Sequence, residues 1–181
     1  MPATFTWQGC DETGADAVTA TPFDIGVSGA SVLMTQSRTW SVTPASSPIP
    51  AGQASIERHV RARYSGTFSN ILPTSVKIWR SDSSTLATGV ALRCGGLSDG
   101  SGVAYAVPST TANGDAAVPT SEPASGNVSI DGTGSTRYSP GLASGLSRWL
   151  RLQVGTTIST PAGNFSNGDP QAVLTMKYTE N

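Results

Sequence analysis

Charge is scarce in this chain. Of its 181 residues only 13% are Asp, Glu, Lys or Arg, and the net charge is −1. An average globular chain carries roughly 25% charged residues. With no strong positive field, the chain has no global attraction for nucleic acid or for an anionic membrane. Histidine occurs once, at His59, and cysteine twice, at Cys10 and Cys94. So few soft ligands exclude a Cys/His zinc cluster. The two thiols are expected as reduced, buried small side chains, and a disulfide between them is not required. Long apolar runs are also missing. None exceeds about five residues, whereas a spanning helix needs roughly 20. The opening "MPATFTWQGCDETGADA" lacks the basic and apolar regions of a signal peptide. The expected place of synthesis is therefore a cytosol, with release by assembly or lysis.

What the chain does contain is Gly, Pro and hydroxyl. There are 20 Gly and 12 Pro, and Ser plus Thr make up about a quarter of the residues. Helix formers such as Lys, Glu, Gln and Leu are few. This composition predicts short strands joined by many turns. The length suits one domain, or one domain with an arm, and can bury a core without metal or disulfide staples.

Period-2 alternation places the strands. "SIERHVRARYSGTFS" sets Ile56, Val60, Ala62, Tyr64 and Phe68 on one face and Glu57, His59, Arg61, Arg63 and Thr67 on the other. Arg58 breaks the inner face, and Gly66 marks a candidate bulge. "ILPTSVKIWRSD" turns Val76 and Ile78 inward and Lys77 and Trp79 outward, and "VALRCGG" aligns Val90, Leu92 and Cys94. "RWLRLQV" buries Leu150, Leu152 and Val154, and "AVLTMKY" buries Leu174, Met176 and Tyr178. Between these last two, Pro161 and Gly163 interrupt ladder bonding and turn the chain, so that the final strand is expected to pair antiparallel with the penultimate one. Shorter strands are expected at 30–36, 39–44 and 103–107. The fold class is thus all-β: an antiparallel β-sandwich, Ig-like, with an extended N-terminal arm over 1–25 and a single sandwich domain over 26–181. Within that domain, residues 95–147 form a long loop-rich excursion. Phe5 and Trp7 share strand parity and are the arm's expected anchors.

Catalytic motifs are thin. Nucleophilic catalysis needs a nucleophile, a base and an orienting group, and His59 is expected as an exposed side chain on a sheet face. No G-x-S-x-G elbow or phosphate-binding loop occurs. Asp11, Glu12, Asp82, Asp99, Asp115, Glu122, Asp131 and Asp169 sit mostly beside Gly or Ser in loops, where they serve as turn formers. "DGTGS" at 131–135 and "NGD" at 167–169 could offer oxygen ligands but match no EF-hand loop. The chain is therefore expected to be non-enzymatic and to hold no cofactor or metal. The sequons at 127–129 and 164–166 mean little without a secretory signal. The sharper feature is basic. Arg61 and Arg63 share an outward face with His59, and Lys77 and Trp79 lie on the next expected strand, so a positive patch with an aromatic in it would suit an acidic protein partner.

"TSVKIWRSD", "VPTSEPAS" and "RWLRLQVGTTISTPAGN", followed by a closing strand that ends in "YTEN", resemble small β-rich structural proteins of tailed bacteriophage virions. In such proteins an Ig-like strand pair is followed by "TPAG" and a last strand. The resemblance covers about the last 110 residues and brings no catalytic residue with it. It implies a virion component, assembled in the host cytoplasm and placed on the capsid surface or in the neck or tail. Other virion proteins would be its partners, and the chain would form a homo-oligomer. The N-terminal arm departs from a minimal Ig-like module. The alternative function is a module that binds a carbohydrate or another host-surface ligand through Trp40, Trp79 and Trp149, if these indoles share a face.

Overall fold

The computed structural model describes residues 4–11, 21–26, 32–66, 76–81, 86–97, 107–128, 144–147, 149–160 and 173–179. Phe68, Thr67, the strand expected over 103–106, the turns at 131–135 and 167–169 and the sequon at 164–166 lie outside the described residues, as do Glu12, Asp82, Asp99 and the Pro161–Gly163 turn.

The described chain is all-β. Its strands are β1 (Thr4–Asp11), β2 (Thr21–Gly26), β3 (Arg58–Ser65), β4 (Lys77–Arg80), β5 (Val90–Gly95), β6 (Ser144–Leu146), β7 (Leu150–Thr156) and β8 (Leu174–Lys177). Six of them form one sheet in the order β2-β1-β3-β7-β5, with β6 also on β3, and β4 with β8 forms a second sheet. Every pairing is antiparallel. β6 and β7 follow each other along the same side of β3, and Ser147 bridges the gap between them. Its Oγ accepts from Ala62 N at 2.9 Å and its N–H donates to Ala62 O at 2.8 Å.

The two sheets face each other across one core. Val60, Ala62, Tyr64, Leu92, Cys94, Leu150 and Leu152 come from the larger sheet and Val76 and Ile78 from the smaller. Tyr64 spans the layers, and its Oη donates to Met176 Sδ at 3.1 Å. Burial, then the neighbouring Tyr178, pushes the Tyr64 pKa well above the usual tyrosine value. The antiparallel β-sandwich predicted by alternation is therefore present, and the described inward positions of β3, β4, β7 and β8, with Leu92 and Cys94 of β5, are those the period-2 pattern selects. Cys10 and Cys94 are both buried, and no disulfide joins them.

Three expectations are corrected. Within the arm expected over 1–25, the described residues belong to β1 and β2, two strands of the main sheet. β1 pairs with β3 from Thr4↔Ser65 to Gly9↔Val60 and with β2 on its other side. The register is held by close packing, because a Cβ on Gly9 would lie 2.8 Å from the Trp40 ring and 2.9 Å from Phe23. Second, 32–57 is built of turns where strands at 30–36 and 39–44 are expected. A buried guanidinium takes the place of a ladder. Arg58 donates to Leu33 O at 3.3 Å, Arg38 O at 2.8 Å and Ser37 O at 2.9 Å, and its Cζ lies 4.8 Å over the Trp40 ring. Third, β8 pairs with β4 and not with β7, so the connection after β7 crosses from one sheet to the other.

The excursion seals one flank. Residues 115–118 border β5, with Cys94 N donating to Ala116 O and Val118 N to Leu92 O, both at 3.0 Å. Residues 119–128 border β4. There the Asn127 carboxamide acts like a peptide group: its Oδ1 accepts from Ile78 N at 2.8 Å and its Nδ2 donates to Ile78 O at 2.9 Å.

Candidate interaction surface

The outward face of the larger sheet is polar, and half of it is covered. Glu57, Gln153 and Arg151 point away from the core on neighbouring strand positions, and residues 107–117 lie over them as a strap. Gln153 is 1% exposed. Its Nε2 donates to Ser55 O and Thr111 O, each at 3.0 Å, and its Oε1 accepts from Asn113 N at 3.1 Å. Glu57 accepts from Ser109 N at 3.1 Å and from Asn113 Nδ2 at 3.2 Å. Arg151 grips Asp115 through both carboxylate oxygens, at 2.8 and 2.9 Å, and lies 3.5 Å from Glu57. The hydrogen bonds to Asp115 raise the Arg151 pKa, burial opposes the rise, and the charges of Asp115 and Glu57 add to it. Gly95 is what lets Asp115 in, since a Cβ there would stand 2.6 Å from its carboxylate. Burial, with the Asp115 charge added and Arg151 opposing, holds the nearby Cys94 thiol well above the usual range.

His59, expected on an exposed face, is 0% exposed and sits opposite Arg151 in the ladder. Alternation assigns it correctly to the outward side, but that side is roofed at this point.

The other half of the face is more open. Arg61 Nε donates to Gln8 Oε1 at 3.1 Å, Gln8 Nε2 to Asp24 Oδ1 at 3.0 Å, and Arg63 pairs with Asp24 at 2.7 Å. The Arg61 Cζ lies 4.4 Å over the Trp149 ring. Lys77 and Trp79 are elsewhere. They belong to β4, on the exterior of the opposite sheet, where Lys77 and Lys177 share Glu122 at 3.1 and 2.9 Å. The single basic patch expected from Arg61, Arg63, Lys77 and Trp79 is thus divided between two faces, because their strands are not neighbours. Hydrogen bonds from Lys177 first and Lys77 second hold the Glu122 carboxyl below its usual range.

Phe5 and Trp7 are on the inner side of β1 and half-buried, with ring centroids 6.0 Å apart. Trp7 and Trp40 pack against the core, Trp149 lies under Arg61, and Trp79 is on the far face, so the four indoles share no platform. Alternation could not reveal Gln153, Asp115, Arg151, Asn113 or Asn127, since their roles depend on a strap distant in sequence. Among the described residues no group of three His, Cys, Asp or Glu side chains is placed to hold a metal ion. Comparison with family models, with curated proteins and with solved structures gives no match to the chain.

Proposed function

We propose that the chain is a non-enzymatic building block: a structural component of a phage virion that self-associates and docks on the capsid surface or on the neck or tail. The observation that carries this reading is the use made of the outward polar groups. Glu57, Gln153, Arg151 and Asp115 are bonded to one another and to a strap instead of converging on a cleft, which stiffens a plate and leaves little for chemistry. The resemblance of residues 118–125 and 148–164 to tailed-phage structural proteins points the same way, as does the low surface charge. A sugar-binding role would favour indoles gathered on one surface, and they are dispersed here.

Mass spectrometry of purified virions, together with size exclusion and light scattering of the isolated protein, tests the proposal. The expected result is a chain present in the particle and multimeric in solution, with assembly little weakened by high salt, because strand pairing and apolar contacts outweigh charge. A strict monomer absent from every particle overturns it.

A further inference from the structure

We propose that the edge of β8 turned away from β4, beside which no strand lies among the described residues, is a strand-addition site, taking an extended segment of a partner protein that is apolar at alternate residues and acidic where it passes Lys177. The inference rests on the building-block reading and specifies how the docking occurs.

The backbone sets the direction. Ser81 N donates to Val173 O at 3.1 Å, whereas Ile78 N and Arg80 N are used on the other side of β4, by Asn127 Oδ1 and by Pro119 O. The pairs that exchange bonds across the β4–β8 ladder are therefore Trp79 with Thr175 and Lys77 with Lys177. The N–H and C=O groups of Leu174 and Met176 point the opposite way, and among the described residues no strand lies on that side of β8. Such a row is a template for another strand.

The other sheet supplies a wall. β8 lies under β3 through the Tyr64–Met176 contact, and Tyr178, just beyond it, reaches Phe5 at 6.1 Å between ring centroids. The larger sheet continues outward with β1 and β2, where Trp7 and Ile25 stay half-buried. A strand laid beside β8 would set every second side chain against Phe5 and Trp7. On its exterior side it would pass Lys177. There two lysines share one carboxylate, Glu122, which leaves a surplus positive charge for an acidic neighbour.

A second copy of this chain is the poorer occupant. Pairing β8 with its own twin about a two-fold axis normal to the sheet would bring both overhanging β1–β2 pairs into one space. The remaining edge, β2, carries Pro22, which has no N–H to give, and Asp24.

The test uses the full chain and an end-blocked nine-residue peptide with valine at alternate positions and threonine and glutamate between them. Hydrogen exchange is followed amide by amide. The expected result is an exchange slowed about tenfold at Leu174 and Met176, lost when the peptide is N-methylated along its bonding edge. Lys177→Glu should transfer the preference to the same peptide carrying lysine in place of glutamate. Unchanged exchange at both amides in saturating peptide overturns the site. Protection that grows with protein concentration and no peptide overturns the choice of occupant. A chain found in virions but unprotected by peptide sinks this inference and leaves the building-block reading standing; peptide protection in a chain absent from every particle does the reverse.

Discussion

The two flanks of the sandwich are finished differently. On the β5 and β4 side the chain returns on itself: residues 115–118 border one sheet and 119–128 the other, and the strap locks over Gln153 and Arg151. On the β2 and β8 side the described strands end unevenly, two of the larger sheet running past the smaller. The β2 edge is blunted by Pro22, by Asp24 and by an irregular register at Trp7/Gln8, while β8 has neither proline nor bulge. Among the described residues the first flank carries the denser internal bonding, and no strand borders β8 on the second.

Several changes would break or sharpen that contrast. The largest effect is expected from Gln153→Ala, which strands the Ser55 and Thr111 carbonyls and the Asn113 N–H and leaves a cavity. Urea unfolding should register a loss of about 3 kcal/mol, with exchange accelerated over 107–118 but not in β8. A loss under about 1 kcal/mol would mean that the strap is not the stabilising flank. Gly95→Ala comes next. It drives a Cβ against the Asp115 carboxylate and should cost about 2 kcal/mol while loosening the grip on Arg151. Trp7→Ala, on the β2 and β8 side, should cost about 1.5 kcal/mol, less than a fully buried aromatic, because the residue is already partly exposed. A larger loss would show that the overhang is core. The smallest effect concerns Glu122. Its carboxyl titrates below the usual value, so its contribution is complete above the unfolded glutamate pKa and fades as pH falls through the depressed one. NMR titration should place it below an ordinary glutamate, and Lys177→Gln should move it back up more than Lys77→Gln.

Much of the architecture was legible in the sequence because alternation is local. The inward sets of β3, β5 and β7 follow from parity, and so does the outward direction of His59, Arg61 and Arg63. What parity cannot report is which outward positions a distant segment will cover, and so His59 and Glu57 were expected in solvent. It also misplaced β1 and β2, where Thr, Gln and Gly outnumber large apolar residues and Phe5, Trp7 and Ile25 are the side chains packed against the core cluster. The turns over 32–47 present enough apolar residues to imitate strands, yet Val32, Met34 and Trp40 pack on the core one by one, from a backbone satisfied by Arg58. Strand neighbours, finally, depend on topology. Lys77 and Arg61 are adjacent in expectation and a whole layer apart in space.

The carboxamide of Asn127 has one more consequence. The residue opens a sequon, yet both ends of its side chain are engaged with Ile78 and it is 8% exposed. No oligosaccharide fits between Asn127 and β4 once the chain has folded, and one attached beforehand would leave that edge unzipped. Expression through a secretory route would therefore yield two populations: a compact species bare at this position, and a sugar-bearing one that never closes its seam.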